Sequence, residues 1–386
     1  MKYFLMLIQL WVGFLPICAS YPKANIWIIP SVESPQVYRN YAQTSKVHLE
    51  MARGEVEHIQ LVFPSKVNEE YRFTFDRNLK GIQISAREPK KMNGYYDALV
   101  PFKNQLKCTD TLTAVWITVQ CPSRVPVGKY HQTIKIEGSK HFTIQLDYNV
   151  HHTTIPLKSS IPITVGVENR CVAEGLNDKE ADKERQRWVD FVLSYRMTPV
   201  FGTQITPERW QYEHSFSPWA WNDKRSIRLL NDRRYSCYML PFFTLSENEL
   251  ASLLCNIQKK GKLKESLFYI WDEPAYMEDY EQIKQKVNII RKYASDARIL
   301  TTFFCGPRNG PRKGDLYAVF DYLKHHIHVA TISLAPCKGN EEEVQHIRYK
   351  VPEGIDWWSY VCWQPGGNEP NFLLQMKGIQ QRAIMW

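Results

Sequence analysis

The stretch that decides the fold is LFYIWDEPAYMEDYEQIKQKVNII, residues 267–290. Its first five residues, Leu267–Trp271, are an unbroken apolar run of the kind that forms a buried β-strand. After the acidic pair Asp272-Glu273, apolar side chains recur at the helical period, at Tyr280, Ile283, Val287 and Ile290. A buried strand followed by an amphipathic helix is the repeating unit of a parallel sheet.

The same unit recurs through the second half of the chain. Other strands are predicted at Pro162–Val167, Pro199–Gly202, Cys237–Phe243, Ile299–Phe304, Ile327–Leu334 and Ile355–Trp363. Helices between them present the apolar faces Trp188, Phe191, Val192 and Tyr195; Leu250, Leu253, Leu254 and Ile257; and Leu316, Val319, Phe320 and Leu323. The segment from Asn371 to Trp386 resembles a seventh helix, after which the sequence ends. We therefore expect residues 158–386 to form a (β/α)8-type TIM barrel that lacks its last strand, with an apolar gap between the first and seventh strands.

Residues 21–157 have the period of β-structure instead. Phe142, Ile144, Leu146 and Tyr148 alternate with polar neighbours, and Pro and Gly separate the strand-like pieces. Helical periodicity of useful length is absent from this part of the sequence. The pattern predicts an antiparallel β-sandwich domain.

The first 20 residues are typical of an export signal. Lys2 precedes an apolar run from Phe4 to Ile17, and Cys18-Ala19-Ser20 offers small residues for cleavage. The run is too short for a standard membrane span, and we expect no transmembrane segment in the mature chain. Ile17 fits a lipoprotein signal poorly, which disfavours a lipid anchor on Cys18. The protein is expected to be secreted or periplasmic.

Composition excludes some classes of function. The net charge is +9, but the Lys and Arg residues are scattered and accompany no nucleic-acid-binding motif, so we expect no nucleic-acid partner. His151-His152 and His325-His326 lack Cys or carboxylate partners at metal-site spacing, so neither a metal nor a cofactor is expected. The cysteines that follow the export signal are compatible with disulfides or with buried free thiols.

The acidic pair is the best candidate for chemistry. In a β/α barrel the active site lies at the carboxyl ends of the strands, where Asp272 and Glu273 fall. Two carboxylates after a buried strand are costly unless they face a wet cleft or have partners. The alternative is a helix start, with Asp272 as the N-cap. Because neighbours on a regular strand point to opposite faces, the backbone must leave the strand near Pro274 if both carboxylates serve one substrate.

Aromatic residues suggest sugar binding. The chain has 12 Trp, 21 Tyr and 17 Phe, and an apolar ring can stack on the C–H face of a pyranose. Core packing explains such a surplus equally well. Arg308, after the fifth predicted strand, is a candidate to bind a sugar hydroxyl or an acidic group, or else a surface arginine. The candidate sugar platforms are Trp219, Trp221, Trp358 and Trp363.

Three motifs carry a resemblance to a known family. Trp271-Asp272-Glu273-Pro274, Trp358-Ser359-Tyr360-Val361-Cys362 and Arg382-Ala383-Ile384-Met385-Trp386 resemble glycoside hydrolase family 123, β-N-acetylgalactosaminidases with a β-sandwich followed by a β/α barrel. The resemblance implies a retaining mechanism in which the acetamido oxygen of the substrate is the nucleophile. It also implies that Glu273 is the general acid and base, that Asp272 orients the acetamido group and that Tyr360 donates to the acetamido oxygen. Trp271, next to the acidic pair, is a further candidate to bind substrate, beside Trp358.

The resemblance also implies that family members continue past the helix ending at Trp386, which makes this chain a truncated version. A glycan or glycoconjugate is the expected partner, and secreted carbohydrate metabolism the expected role. One alternative is a retaining glycosidase with two enzyme carboxylates, for which Glu369 is the nearest second candidate. A non-catalytic carbohydrate-binding protein is the other.

Overall fold

A computed structural model describes residues 25–76, 81–92, 95–206, 211–304, 306–315, 317–333, 349 and 351–360. The chain divides into two compact units, Met1–Thr154 and Ile155–Trp386. The predicted export signal, the C-terminal helix from Asn371 and the candidates Trp363 and Glu369 lie outside the described residues.

The described residues of the first unit form ten strands in two five-stranded sheets. They are β1 (Trp27–Pro30), β2 (Lys46–Arg53), β3 (Val56–Pro64), β4 (Glu70–Phe75), β5 (Gln83–Met92), β6 (Tyr95–Pro101), β7 (Gln105–Lys107), β8 (Leu112–Gln120), β9 (Gly128–Glu137) and β10 (His141–Thr154). The strand orders are β1-β3-β8-β5-β6 and β2-β10-β9-β4-β7. The helical structure described between residues 25 and 154 is one 3-10 turn, Pro35–Asn40.

Pairing in this unit is antiparallel except between β2 and β10, which run parallel. Alternate side chains of both sheets point into one core, among them Leu61, Ile117, Phe73 and Leu146. The predicted alternation along β10 is confirmed, since Phe142, Ile144, Leu146 and Tyr148 are all buried. Two sheets around one apolar core is the arrangement of a β-sandwich.

The second unit alternates strands and helices. Its strands are β11 (Thr164–Glu168), β12 (Thr198–Thr206), β13 (Gln211–Ser215), β14 (Tyr238–Met239), β15 (Ser266–Trp271), β16 (Arg298–Phe303), β17 (Val329–Ser333) and β18 (Asp356–Tyr360). Its helices are α1 (Asn169–Ala173), α2 (Asp178–Ser194), α3 (Lys224–Leu229), α4 (Glu247–Lys259), α5 (Met277–Arg291) and α6 (Ala318–Leu323). Across these described ranges, no helix is both long and apolar enough to cross a bilayer.

These strands form two sheets rather than one closed barrel in the described part of the chain. β11, β12 and β13 make a three-stranded sheet, and β14 to β18 make a parallel five-stranded sheet in chain order. The sequence pattern did not predict β13, which pairs antiparallel with β12 and occupies the edge that a barrel would offer to β14. The predicted strand Cys237–Phe243 shortens to the two residues of β14. The expected continuous barrel is therefore not seen among these residues.

Two apolar clusters cover the two faces of these sheets. The larger cluster packs α2, α4, α5 and α6 against one face, through residues such as Phe268 and Ile270 of β15. The smaller, which we call the inner cluster, lies on the other face and draws on strands of both sheets. It comprises Val200, Cys237, Met239, Leu267, Leu300 and Val329, with Tyr269 and Trp358 packed against it.

The predicted helix faces were right for α4 and α5, whereas on α2 only Val192 of the predicted face is buried. Leu250, Leu253, Leu254 and Ile257 of α4 are buried, as are Tyr280, Ile283, Val287 and Ile290 of α5. On α2, Trp188 is 41%, Phe191 55% and Tyr195 46% exposed. That helix carries two apolar stripes, and the aliphatic one, which includes Val189, Val192 and Leu193, is the buried one.

The described cysteines are free thiols. Cys108, Cys121 and Cys237 are buried, whereas Cys171 and Cys255 are exposed. Of the two alternatives left open by the sequence, free thiols hold for these five residues.

Candidate active site

The acidic pair follows β15, and an irregularity in that strand decides where the two side chains point. Tyr269 pairs with Leu300 and Trp271 pairs with Thr301, so β15 contains one extra residue at Ile270. Tyr269 faces the inner cluster, whereas Ile270 and Trp271 both join the core on the helix side. In a regular strand Trp271 would share the face of Tyr269. Because of the bulge, Asp272 lies on that face instead.

Asp272 is held by two hydroxyl groups. The Tyr269 hydroxyl donates to its Oδ1 over 2.6 Å, and the hydroxyl of Thr302, on β16, donates to the same atom over 2.7 Å. The two hydroxyl oxygens lie 2.9 Å apart. Within the described ranges, no donor reaches Oδ2 of Asp272. Oδ1 of Asp272 is therefore fixed by two donors.

Glu273 leaves the strand through a left-handed backbone conformation. Its φ is 47°, which non-glycine residues rarely adopt, and its N–H donates to Oγ1 of Thr302 over 3.0 Å. This conformation turns the second carboxylate to the side of the first. The expected departure from the strand before Pro274 is confirmed: β15 ends at Trp271, and Glu273 is left-handed.

The surroundings of Glu273 favour its protonated form. Burial raises the pKa of the Glu273 carboxyl, and the charge of Asp272 raises it further. The hydrogen bond from Tyr360 and the charge of Arg308 lower the pKa in part, but the net direction is upward. A carboxyl with a raised pKa next to another carboxylate is suited to donate a proton.

Tyr360 reaches Glu273 from β18. Its hydroxyl donates to Oε1 of Glu273, and burial raises the pKa of the phenol, with a further contribution from Glu273. Tyr360 therefore stays protonated and acts as a donor. The sequence placed Asp272, Glu273 and Tyr360 in one site, and the structure brings all three together.

A small pocket opens beside Asp272. It is lined by Tyr212, His214, Phe243, Tyr269, Ile270, Trp271 and Asp272. The ring of His214 stacks on that of Tyr269, with centres 4.2 Å apart, and burial lowers the pKa of His214 to about 4. Its imidazole is therefore neutral at physiological pH and supports the aromatic wall without adding charge.

Buried Glu213 fixes the loop that carries Phe243. Its carboxylate accepts hydrogen bonds from the N–H groups of Phe242 and Thr244 over 2.8 and 2.7 Å, and from the Thr244 hydroxyl over 2.9 Å. Glu213, Tyr212 and His214 were not predicted as site residues, because all three belong to the unpredicted strand β13. Tyr269 and Thr302 were not predicted either, although a hydroxyl-bearing residue inside an apolar strand is a usable signal.

The other predicted site residues occupy different surroundings. Trp271 is buried in the helix-side core, with Nζ of Lys286 5.3 Å from its ring centre, and it also lines the pocket. Trp358 packs against the inner cluster, below Tyr360 on the same strand. Arg308 is exposed, with its Cζ 6.0 Å from the Tyr276 ring centre and its charge felt at Glu273.

Two further predicted sugar platforms, Trp219 and Trp221, have other contacts. Trp219 is buried and donates from its indole N–H to Asp182 over 2.8 Å, while Trp221 packs against the helix-side core. Among the described residues, no group of three or more His, Cys, Asp and Glu side chains is arranged to hold a metal ion.

Comparison with known proteins gives a likeness in fold. No sequence profile of a protein family matches this chain, and no curated protein matches it. A family 123 glycoside hydrolase from Clostridium perfringens, described for glycolipid glycan hydrolysis, matches with a TM-score of 0.57 and 14% identity, over 91% of this chain and 74% of its own. A family 2 glycosyl hydrolase from Bacteroides cellulosilyticus matches with a TM-score of 0.28 and 11% identity, over 81% of this chain and 44% of its own. The first match shows a glycoside hydrolase-like fold; the second is too distant to add to it.

Proposed function

We propose that this protein is a secreted β-N-acetylhexosaminidase of the family 123 type that removes β-linked N-acetylgalactosamine from glycans. The observation that carries the proposal is the presentation of Asp272 and Glu273 on one face, through the β15 bulge and the left-handed Glu273. A helix N-cap would require neither feature. The fold likeness to a glycoside hydrolase supports the same class of reaction.

In the first step, the acetamido carbonyl oxygen of the substrate attacks the anomeric carbon. Glu273 gives its proton to the departing glycosidic oxygen as that bond breaks. The products are the free aglycone alcohol and a cyclic oxazolinium bound to the enzyme. Burial of Glu273, which raises its pKa, supports this role, because the proton must be in place before attack.

Asp272 orients the acetamido group and stabilises the positive charge that forms on it. Its Oδ1 is held by Tyr269 and Thr302, so its Oδ2 accepts the acetamido N–H of the substrate. A fixed carboxylate aimed at developing positive charge needs little reorganisation during the reaction. This division of labour between the two oxygens favours substrate assistance.

In the second step, the Glu273 carboxylate takes a proton from water, and the resulting hydroxide equivalent attacks the anomeric carbon. The oxazolinium opens, the acetamido group is restored and the β-configuration is retained. Tyr360, whose hydroxyl already reaches Glu273, donates to the acetamido oxygen once substrate displaces that contact. The sugar leaves with Glu273 protonated for the next cycle.

We assign the second unit to a (β/α)8-type TIM barrel with the pocket at the carboxyl ends of its strands. The inner cluster supports this assignment, because it gathers residues from strands of both sheets into one interior. The alternation of β14 to β17 with α4, α5 and α6 supports it as well.

Export is proposed from the apolar run that ends at Ile17. Mass spectrometry of protein recovered outside the cytoplasm should find a mature amino terminus near Tyr21. Recovery only inside cells, with Met1 or Lys2 still at the amino terminus, would contradict export.

The decisive experiment is hydrolysis of chromogenic β-N-acetylgalactosaminide, β-N-acetylglucosaminide and plain β-galactoside by the purified chain. We expect release from the acetamido sugars, with the galacto substrate preferred, and none from the plain galactoside. Glu273→Gln should lower turnover on the order of a hundredfold or more, and Asp272→Asn should lower it sharply. Glu281→Gln, at an exposed residue of α5 paired with Lys284, is the matched control.

Two further readouts separate the mechanisms. A thiazoline that mimics the oxazolinium should inhibit competitively, and NMR of the first-formed product should show the β-anomer. Brisk cleavage of the plain galactoside, or a covalent sugar adduct on Glu369, would replace substrate assistance with a two-carboxylate mechanism. Sugar binding without turnover of any substrate would favour a non-catalytic protein.

A further inference from the structure

The hydroxyl of Thr302 is the point where the contacts beneath the acidic pair converge. It donates to Oδ1 of Asp272 over 2.7 Å, accepts from the N–H of Glu273 over 3.0 Å and lies 2.9 Å from the Tyr269 hydroxyl. Thr302 is buried on β16, the strand next to β15. A single side chain therefore contacts the carboxylate of one candidate catalytic residue and the backbone of the other.

The hydrogen-bonding capacity of a hydroxyl fits these partners. It has one proton, which goes to Asp272, and a lone pair that accepts from the Glu273 N–H. The Tyr269 hydroxyl, whose own proton also goes to Asp272, lies 2.9 Å away. Valine has the same shape without either function. The contact with Asp272 involves a carboxylate, which makes it stronger than a bond between neutral groups.

The preceding residue provides a contrast. Thr301 is also fully buried, but its Oγ1 has no hydrogen-bond partner among the described residues. It lies on the same strand and differs from Thr302 in the face to which it points. Two buried threonines one residue apart thus differ in whether the hydroxyl has partners, and only the partnered one reaches the acidic pair.

We propose that Thr302 is a positioning residue for the hydrolysis proposed above: its hydroxyl holds Asp272 in the orientation that receives the acetamido group and keeps the Glu273 backbone left-handed. This inference rests on the proposed function. Thr302 touches neither substrate nor reacting atoms, so it acts through Asp272 and Glu273. Its loss should lower the rate of the chemical step more than the affinity for substrate.

The test compares Thr302→Val with Thr301→Val on the acetamido substrate. We expect Thr302→Val to lower kcat by about 10- to 100-fold with KM changed by less than about threefold, because oriented contacts act mainly in the transition state. Thr302→Ser should recover most of the lost rate, since it keeps the hydroxyl. Thr301→Val should leave kcat unchanged, because it removes a hydroxyl that has no partner.

A double-mutant cycle distinguishes positioning from general loss of structure. If Thr302 acts through Asp272, Thr302→Val should cost about threefold or less in an Asp272→Asn background, because the group that it orients is already impaired. Equal losses in both backgrounds would overturn the inference. If Thr302→Val fails to fold by circular dichroism, Tyr269→Phe replaces it in the cycle, since Tyr269 donates to the same oxygen.

The outcomes also separate this inference from the proposed function. If Glu273→Gln keeps its activity, both the proposed function and this inference are rejected. If Glu273→Gln is inactive but Thr302→Val and Thr301→Val are equally active, the proposed function stands. Thr302 is then rejected as a positioning residue.

Discussion

The hydroxyl of Tyr360 donates a hydrogen bond to Oε1 of Glu273, although two strands separate β18 from β15 in the sheet. Neighbouring strands lie about 4.8 Å apart, so these two strands would be about 14 Å apart in a flat sheet. Contact between their side chains requires the sheet to curl toward the face of the inner cluster. The carboxyl ends of the strands thus surround a concave site.

The pH profile should report the neighbours of Glu273. As a general acid, Glu273 must be protonated, so its pKa sets the alkaline limb of kcat/KM. Tyr360→Phe removes a donor to the ionised form and Arg308→Ala removes a nearby positive charge; both should raise this pKa and shift the alkaline limb to higher pH. Initial rates across pH measure the shift.

The control for charge is Arg312→Ala, at an arginine paired with Asp315 and Asp321, which should leave the limb in place. Asp272→Asn tests the opposite sign. It removes a negative charge that raises the pKa of Glu273, so that pKa should fall. The alkaline limb of the residual activity should therefore move to lower pH. A shift in the same direction for Asp272→Asn and Arg308→Ala would exclude Glu273 as the titrating acid.

The left-handed backbone at Glu273 should appear as a stability difference. A side chain at φ 47° costs about 1 kcal/mol or more relative to glycine. Glu273→Gly should therefore be more stable than Glu273→Ala by about that amount, less the extra chain entropy of glycine when unfolded. Urea unfolding of both variants measures the difference, with Glu281→Ala and Glu281→Gly as the helical pair in which alanine should be the more stable. Equal stability of the Glu273 pair would argue against the left-handed conformation.

Helix α2 should tolerate loss of its large aromatic side chains better than loss of a smaller aliphatic one. Leu193→Ala removes a buried side chain and should cost about 2–5 kcal/mol of the free energy of unfolding. Phe191→Ala removes a larger side chain that is 55% exposed and contacts the rings of Trp188 and Tyr195, and should cost less than about 1 kcal/mol. The reverse order in urea unfolding would show that the aromatic stripe is covered in solution.

Alkylation should divide the described cysteines by burial. Cys171 and Cys255 should react rapidly in the native protein, whereas Cys108, Cys121 and Cys237 should react only after unfolding. Burial raises the pKa of the Cys237 thiol to about 11, which leaves little thiolate at neutral pH. Peptide mapping by mass spectrometry identifies the modified residues. Rapid native labelling of Cys237 would contradict the packing of the inner cluster.

Local sequence patterns predicted the elements but not their long-range partners. The buried faces of α4 and α5 could be read from spacing, because each has a single apolar stripe. On α2 two stripes compete, and spacing alone does not reveal which the sheet will cover. β13 was missed because Gln211–Ser215 has no apolar run, and its pairing with β12 depends on the hairpin.

In the candidate site, too, some residues could be predicted from the sequence and others could not. Asp272 and Glu273 were accessible to sequence analysis, because adjacent carboxylates after a buried strand stand out. Thr302 and Tyr269 were not, because their role depends on pairing between β15 and β16 and on an extra residue in β15. No spacing in a single sequence marks that bulge.

The extra residue in β15 makes the direction of Asp272 depend on the register of the strand. Deleting Ile270 would remove the bulge and restore regular alternation, with Trp271 still toward the helices and Asp272 still on the inner face, because Asp272 would then lie two residues after Tyr269. A related chain with a strand one residue shorter would therefore present the same acidic pair without a bulge. An alignment would score that difference as one gap next to a preserved motif.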